Sequence, residues 1–479
     1  MTANDSGFDR RSVLKAGGAV GLGATLPFSG VAGADTDGLA GLVDDRLELA
    51  SDVLQEGLVV FESRAAIPLL DDFDLAEGYL AFDVLPVAYA LLTGPQIEAL
   101  AASDGVRYVE ANRELEYHNA DARAATGVDT VQNVDGYRGD SVNAVVIDSG
   151  VDGDHPDLEG ATNYQWVGNP LGSPTLWAGV GSLDSDEIGH GTHVSGTLAG
   201  DGTQSDGTDR GMAPGASLTV YSASAGLSIL KAAAAYDDML ANQRNGANYH
   251  LVTNSFGASG GGEYNPDGAL QTATWEAFQA DVLPVFSAGN SGPDTRTLND
   301  FAKAPHVLAV AATDDERAVT DFSSRGRAAD SGANYDRQTA LSNLRTYYES
   351  GSADGPVGLY RNGVGAPGNM IDSTMSPLDP LQLTNADSDP WYARISGTSM
   401  SCPVVSGVVA LVADAYYQTH GSHPSAIDLL NTVEATATEA RTAYTPASMG
   451  AGFVDAPTAV DRAEADSLAT FDDVTLTDP

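Results

Sequence analysis

The residue that could do chemistry most directly is Ser399, which lies between the small-residue turn Gly397-Thr398 and the apolar run 404–413. That run predicts a buried helix with Ser399 at its N-terminus. Unpaired N–H groups and the positive end of the helix dipole favour a developing negative charge there. A serine beside glycine and threonine is more often a helix cap, so this segment alone does not establish a nucleophile.

Two distant segments supply what a serine nucleophile needs. Asp148 follows the apolar, β-branched run 142–147, which predicts a buried parallel strand. Ligands gather at the carboxyl ends of such strands. His190, between Gly189 and Gly191, opens a short helix of small residues. A serine hydroxyl needs a base within hydrogen-bond reach and a buried anion that orients the base, and these two residues offer both.

An alternative for the histidine segment is a metal site, because His190 and His193 are three residues apart on one predicted helix. The segment lacks the glutamate of the zinc-protease motif, and the sequence offers no evident third ligand. We therefore expect His193 to be structural and His190 to be the base.

The chain order Asp148, His190, Ser399 is one of the orders in which Ser-His-Asp triads occur. The segments around these residues resemble the subtilisin-like serine proteases over roughly residues 122–465. The resemblance is carried by seven motifs: VIDSGVDGDHPDL, GHGTHVSGTLAG, GMAP, SAGN, FSSRG, GAPG and GTSMSCP.

The resemblance implies an α/β fold of three layers with a central parallel sheet, preceded by a small α+β propeptide domain. It makes Ser399 the nucleophile, His190 the general base and then acid, and Asp148 the anion that orients the imidazole. Asn290, at the end of the strand-like run 282–289, matches the amide of the family's oxyanion hole, acting with the backbone N–H of Ser399.

Two small-residue segments resemble the walls of the family's substrate cleft, and an extended peptide would pair with them as an added strand. The first wall is Ser255, Phe256 and Gly257, and the second is Ser287, Ala288 and Gly289. A further substrate-binding strand of the family, at Val220–Gly226 here, is shortened.

The resemblance implies no cofactor for catalysis, but it allows a structural calcium ion (Ca2+). Asp157 in the HPDL motif matches a position that often ligates calcium, and carboxylates suit this hard ion. The loop 201–209, where relatives supply the other ligands, departs from the family's pattern. The single cysteine, Cys402, is expected to be a small buried apolar residue rather than a reactive thiol.

The N-terminal residues predict export. Residues 1–34 combine a twin-arginine pattern at Arg10 and Arg11 with an uncharged Gly/Ala-rich run and a small-residue ending, typical of a cleaved signal peptide. A membrane anchor is the alternative, but the glycines, Pro27 and few large apolar residues disfavour a spanning helix.

Residues 35–120 resemble an inhibitory propeptide, with predicted strands near 58–61, 78–84 and 106–110 and a helix near 94–102. The alternative is a permanent accessory domain. Self-cleavage is expected between about Glu116 and Ala122. Residues 121–466 form the predicted catalytic domain, with buried strands near 143–148, 217–221, 250–254, 282–286 and 307–311. Residues 327–362 and 378–389 are expected to be surface insertions, and 467–479 an exposed tail.

The chain is strongly acidic, with 66 acidic against 23 basic residues and a net charge of −43. Such a surface repels nucleic acid and anionic membranes. Only three residues are lysines, and 42% are hydrophobic, too many for an acidic disordered protein. The composition indicates adaptation to concentrated salt. With the export signal, it resembles secreted halolysin-like proteases of halophilic archaea.

The sequence thus predicts a secreted serine endopeptidase made as a zymogen. Its partners would be polypeptide substrates and its own propeptide, with no nucleic acid and no membrane beyond the export machinery. Two alternatives stay open: an exopeptidase or dedicated processing protease of the same family, and a catalytically silent scaffold that keeps the fold.

Overall fold

The computed structural model describes most of the chain after residue 41. The described ranges are 42–44, 46–112, 116–117, 124–172, 176–258, 261–385, 389–440 and 443–477. The export signal predicted for residues 1–34 lies outside them, as does most of the predicted cleavage interval.

Residues 42–112, named here the N-terminal domain, form a small α+β unit. Its elements are β1 Gln55–Phe61, β2 Tyr79–Ala81, β3 Val87–Leu92, α1 Gly94–Ala101 and β4 Val106–Ala111. Its described strands form one antiparallel sheet in the order β2-β3-β1-β4. The strand predicted for 78–84 ends already at Ala81. Sequence analysis missed β3, which directly follows Pro86, a residue that disfavours strands.

The strands after this domain include those predicted for the catalytic domain. They are β5 Glu116–Tyr117, β6 Asn143–Asp148, β7 Thr162–Trp166, β8 Trp177–Gly179, β9 Ser217–Ser222, β10 Leu251–Asn254, β11 Phe256–Gly257, β12 Leu283–Ser287, β13 Leu308–Thr313, β14 Val364–Pro367, β15 Ile371–Thr374 and β16 Tyr392–Ile395.

A central sheet of eight strands, counted within the described residues, has the order β14-β13-β12-β10-β6-β9-β7-β8. Every neighbouring pair is parallel except β7 and β8 at one edge. The five predicted strands are β6, β9, β10, β12 and β13. Their continuous apolar runs are typical of parallel strands that are covered on both faces.

The helices follow the same alternation with the strands. They are α2 Val128–Thr130, α3 His190–Ala199, α4 Ile229–Arg244, α5 Ala269–Gln279, α6 Arg337–Ser350, α7 Pro380–Asn385, α8 Thr398–His420, α9 Ala426–Ala435, α10 Pro446–Met449 and α11 Ala456–Glu464.

These helices pack against the sheet and against one another. Helix α3 contacts β6 and β9, and α4 and α5 contact each other. Helix α8 packs against α3 and the sheet. The predicted α/β fold with a central parallel sheet is confirmed.

Helix α8 forms the centre of the core. Its residues from Thr398 to Ala415 are all buried. Within the described part of the chain, it is the one helix long and apolar enough to cross a membrane by length and composition, and its apolar window is entirely buried within the protein.

Two segments predicted to lie on the surface are each anchored to the core by a few buried residues. The segment 327–362 contains α6, whose Arg337 is buried and forms an ion pair with Glu434 at 2.6 Å. A second buried arginine of that segment, Arg361, pairs with the same carboxylate at 2.8 Å. In the C-terminal tail, Ala469 is 1% exposed, and its N–H donates to Thr432. The polar composition of both segments gave no sign of these contacts, because the partners lie far apart in sequence.

Candidate active site

Asp148 is the last residue of β6, from which the chain continues to β7 on one side of the sheet, while the neighbouring β10 continues to β12 on the other. This position is the topological switch point, where α/β folds place their ligands. The Asp148 carboxylate is fully buried, and its Oδ1 accepts the N–H of Ser149 at 2.7 Å. Burial raises the pKa of the Asp148 carboxyl, while the neighbouring His190 imidazole opposes that rise.

His190 is the first residue of α3, and its Nδ1 lies 2.5 Å from Oδ1 of Asp148. Gly189 makes this possible from one side, because it adopts the left-handed conformation (φ 94°) in which other residues are strained. Gly191 makes it possible from the other, because a Cβ there would collide with the backbone of Gly150. The two glycines of the motif therefore let the imidazole approach the carboxylate.

Asp186 holds the loop that leads into α3. Its Oδ1 accepts the N–H groups of Ile188 and Gly189, and its Oδ2 accepts the N–H and the hydroxyl of Thr192. These include helix N-terminal donors that would otherwise lack partners. Sequence analysis missed Asp186, which lies four positions before His190 and outside the helix.

Ser399 lies in the first turn of α8 and is fully buried in this chain. Its hydroxyl donates to the carbonyl oxygen of Ser255 at 2.7 Å, and the Ser255 hydroxyl donates to the carbonyl oxygen of Ser399 at 2.5 Å. In a regular helix the Ser399 carbonyl would accept the N–H of residue 403. Pro403 has no N–H, so that carbonyl is available to Ser255.

Asn290 and Thr398 are joined through one amide oxygen. Oδ1 of Asn290 accepts both the backbone N–H and the hydroxyl of Thr398, each at 2.9 Å. The Thr398 hydroxyl in turn accepts the N–H of Gly289 at 3.0 Å. Because a backbone N–H can only donate, the acceptor must be Oδ1, and this fixes Nδ2 on the opposite side of the amide. Sequence analysis identified Asn290 but missed Thr398.

The two predicted cleft walls lie on neighbouring parallel strands. Ser255, Phe256 and Gly257 follow β10, while Ser287 ends β12 and leads into Ala288 and Gly289. A side chain missed by sequence analysis ties them together: Nδ2 of Asn299 donates to the carbonyl oxygens of both Phe256 and Ser287 at 3.0 Å.

The first wall also pairs with the segment that follows the N-terminal domain. Strand β5 lies antiparallel to β11, with Tyr117 opposite Phe256 and Glu116 opposite Gly257. The edge of β11 therefore accepts an extended chain as an added strand, which is the binding mode predicted for substrates. The chain beyond β9 is short, and Lys231 donates to the carbonyl oxygens of Ala223 and Gly226 there.

His193 and Cys402 both lie inside the core. Nε2 of His193 contacts the carbonyl oxygens of Ala393 at 3.1 Å and Ile371 at 3.3 Å, and burial lowers the pKa of this histidine to about 3. Burial raises the pKa of the Cys402 thiol to about 12. At neutral pH the histidine is neutral and the thiol is protonated, which suits structural roles.

The surroundings of Asp157 do not fit a calcium site. Its Oδ1 accepts the N–H of Gln204 at 2.7 Å, and its Oδ2 accepts the hydroxyl of Tyr392 at 2.6 Å. Among the residues that the structure describes, no group of three or more histidine, cysteine, aspartate or glutamate side chains is arranged to hold a metal ion. The carboxylate serves as a buried hydrogen-bond acceptor, so we derive no role for a metal.

Comparison with known proteins agrees with the fold. The model of the subtilase family matches residues 139–452, more than half of the chain. The chain therefore belongs to the subtilase family, the subtilisin-like serine proteases. It is 28% identical over 337 residues to the serine protease AprX of Bacillus subtilis, and 26% identical over 373 residues to a thermostable alkaline protease of Halalkalibacterium halodurans.

Coverage differs among these relatives. The alignment with AprX spans 65% of this chain and 66% of that protein, and the alignment with the alkaline protease spans 77% and 83%. The crystal structure of fervidolysin from Fervidobacterium pennivorans superposes with a TM-score of 0.62 at 22% identity. It covers 88% of this chain and 62% of that one, and it shows the shared fold.

Proposed function

We propose that this chain is a secreted serine endopeptidase that is made as an inactive precursor. The observation that carries this proposal is the 2.5 Å contact between His190 Nδ1 and Asp148 Oδ1 at the switch point of the sheet. Family membership and the position of Ser399 at the N-terminus of α8 support it.

In the proposed mechanism, Ser399 Oγ attacks the carbonyl carbon of the substrate while His190 takes its proton. The hydroxyl must first leave the Ser255 carbonyl and turn toward the imidazole. Asp148 keeps Nδ1–H of His190 oriented and stabilises the imidazolium that forms. Nδ2 of Asn290 and the N–H of Ser399 stabilise the oxyanion. His190 then protonates the leaving amine, and water hydrolyses the acyl-enzyme by the reverse sequence.

The N-terminal domain is proposed to be the inhibitor of the precursor. Three features support this role. Its Glu110 accepts the N–H of Ala269, the first residue of α5, at 2.5 Å, and its Asn112 accepts the N–H of Leu230 in α4. The chain that follows then pairs with β11 in the cleft. Ser399 and His190 are 0% and 1% exposed in this chain, so both are closed to an external substrate.

A carboxylate of the catalytic domain completes this interface from the other side. Asp237 on α4 accepts the backbone N–H groups of Asp83, Val84 and Leu85 at 2.6–2.8 Å. Burial raises the pKa of the Asp237 carboxyl, and the three N–H groups oppose the rise. Asp237 and Glu110 each accept backbone N–H groups across the interface, and these directional hydrogen bonds fix the position of the N-terminal domain on the catalytic domain.

The twin-arginine segment and the net charge of −43 support export by the twin-arginine pathway into concentrated salt. The substrates are proposed to be polypeptides, bound as an added strand on β11. The second candidate is an exopeptidase or a dedicated processing protease. It is supported by the short connection between β9 and α4, which reduces the contacts available to an extended substrate.

The experiment that tests the function is cleavage of a denatured protein in concentrated salt. The processed enzyme should cut it at internal positions, which intact-mass analysis of the products distinguishes from release of terminal residues. Ladders of single terminal residues would favour the exopeptidase. The absence of any cleavage by correctly folded, processed enzyme would favour a silent scaffold.

A further inference from the structure

Arg107 of the N-terminal domain is held by three separate parts of the catalytic domain. Its Nε lies 2.7 Å from Oδ1 of Asp267, in the loop before α5. Its Nη2 donates to the hydroxyl of Thr272 on α5 at 2.6 Å. Its guanidinium carbon lies 5.1 Å from the ring centre of Tyr348 on α6. The Arg107 side chain thus forms an ion pair, a hydrogen bond and a contact with an aromatic ring, each with a different residue.

The receiving site is built with its own supports. The hydroxyl of Tyr347 donates to Oδ2 of Asp267 at 2.6 Å, and the hydroxyl of Tyr348 donates to the carbonyl oxygen of Pro266 at 2.5 Å. The Tyr348 ring also stacks on Trp275 with ring centres 4.9 Å apart. Asp267 is only 6% exposed, so its carboxylate is buried and held in one orientation.

A guanidinium suits this site better than an ammonium does. Arginine is planar, stacks on aromatic rings and presents several N–H donors in a fixed fork. Removing one partner of a buried pair leaves an uncompensated charge, which is strongly unfavourable. Both tyrosines belong to α6, in the segment 327–362 for which sequence analysis found no role.

We propose that Asp267, Thr272, Tyr347 and Tyr348 form a guanidinium site for Arg107. Through Tyr347 and Tyr348, the segment 327–362 then helps to hold the N-terminal domain on the catalytic domain. The proposal rests on the proposed inhibitory function of the N-terminal domain. It identifies one of the contacts that set how long this domain stays bound to the catalytic domain.

The first test is hydrogen exchange on the full chain carrying Ser399→Ala, which cannot cut itself. The amides of residues 83–85 report docking, because they donate to Asp237 across the interface. Arg107→Ala should speed their exchange at least tenfold, and Arg107→Lys should fall between. Arg46→Ala is the matched control, because Arg46 pairs with Asp44 inside the N-terminal domain and its loss should change nothing.

Two further variants keep the test independent of one substitution. Tyr347→Phe removes only the hydroxyl that orients Asp267 and should speed exchange several-fold. Combining Arg107→Ala with Asp267→Asn should cost less than the sum of the single changes, because both act on one contact. Exchange at 83–85 that is the same in Arg107→Ala and its parent would overturn the proposal.

A second measurement separates this proposal from the function on which it rests. In chains with an intact Ser399, we expect a delay between self-cleavage and the appearance of peptidase activity, and Arg107→Ala should shorten it at least tenfold. If exchange responds as predicted but the parent chain shows no delay, the guanidinium site stands and the inhibitory role of the domain falls.

Discussion

Ser255 and Ser399 are joined by two reciprocal hydrogen bonds, each hydroxyl donating to the other residue's carbonyl oxygen. The nucleophile of the proposed mechanism therefore lies directly beside the backbone of Ser255. A chain that pairs antiparallel with β11 presents to Ser399 the residue that faces position 255. The pairing register of a chain bound to β11 therefore predicts which of its peptide bonds is cleaved.

The register predicts where the precursor cuts itself. Glu116 faces Gly257 and Tyr117 faces Phe256. Residue 118 lies outside the described residues, and we expect the register to continue for one more position, opposite Ser255. We expect cleavage between His118 and Asn119, within the predicted interval. Intact mass and N-terminal sequencing of the processed enzyme should give a chain that begins at Asn119. A start elsewhere, in a host without other proteases, would contradict the register.

The link between Asn290 and Thr398 predicts graded losses of activity. In subtilisin, the loss of one oxyanion-hole donor costs about a hundred- to thousandfold in kcat, and we expect Asn290→Ala to fall in that range with KM little changed. Thr398→Val keeps the backbone donor to Asn290 and removes only the hydroxyl, so its loss should be about tenfold. Equal kcat in Asn290→Ala and the parent enzyme would exclude the oxyanion role.

Asp379 predicts a pH dependence of stability. Its carboxyl is 4% exposed, and burial together with the carboxylates of Asp186, Asp184 and Asp152 raises its pKa to about 8. The protonated carboxyl is better accommodated at this buried position than the ionised one, so protonation of Asp379 contributes to the stability of the folded chain. Because the folded-state pKa is above the unfolded value, this contribution is fully present below about pH 4. It is lost as the pH rises through 8.

The measurement is thermal unfolding at pH 6 and pH 9 in the Ser399→Ala background, with salt held constant. Asp379→Asn cannot ionise, so it should lose less stability than its parent over this interval, by about 1–3 kcal/mol. Asp336→Asn, at an exposed helix cap, is the comparison variant. An identical pH response of Asp379→Asn and its parent would refute the effect.

The net charge of −43 predicts a requirement for salt. The screening length falls from about 10 Å at 0.1 M to about 3 Å at 1 M, so repulsion among the carboxylates becomes local. Native structure and peptide hydrolysis should rise up to molar sodium chloride and fall away below it, followed from 0.1 M to 4 M with calcium held fixed. Activity that is constant or highest in dilute buffer would argue against the halophilic interpretation.

The sequence predicted those parts of the fold whose signals are local. Five central strands were recognisable because strands covered on both faces are continuous apolar runs. Strand β14 was missed because its Val-Gly-Ala-Pro sequence contains turn residues, and only its pairing with β13 makes it a strand. The short strands β7 and β8 are the last two at one side of the sheet, and neither carries a continuous apolar run.

The candidate site shows the same division. Asp148, His190, Asn290 and Ser399 stand in recognisable motifs. Their supporting partners were missed where contacts join distant segments: Thr398 with Asn290 across 108 positions, and Asn299 with Phe256 across 43. The ion pair between Arg337 and Glu434 spans 97 positions. Hydrogen bonds of this kind depend on the folded geometry and leave no pattern in the sequence.

The central claim is that Ser399 is the nucleophile, and a serine-directed sulfonyl fluoride tests it most directly. After treatment of the processed enzyme, peptide mass spectrometry should find one modified residue, Ser399, with peptidase activity lost in proportion to the modification. The Ser399→Ala chain should remain unmodified, inactive and uncut. Full activity after quantitative labelling of Ser399, or peptidase activity and self-cleavage in the Ser399→Ala chain, would contradict the account.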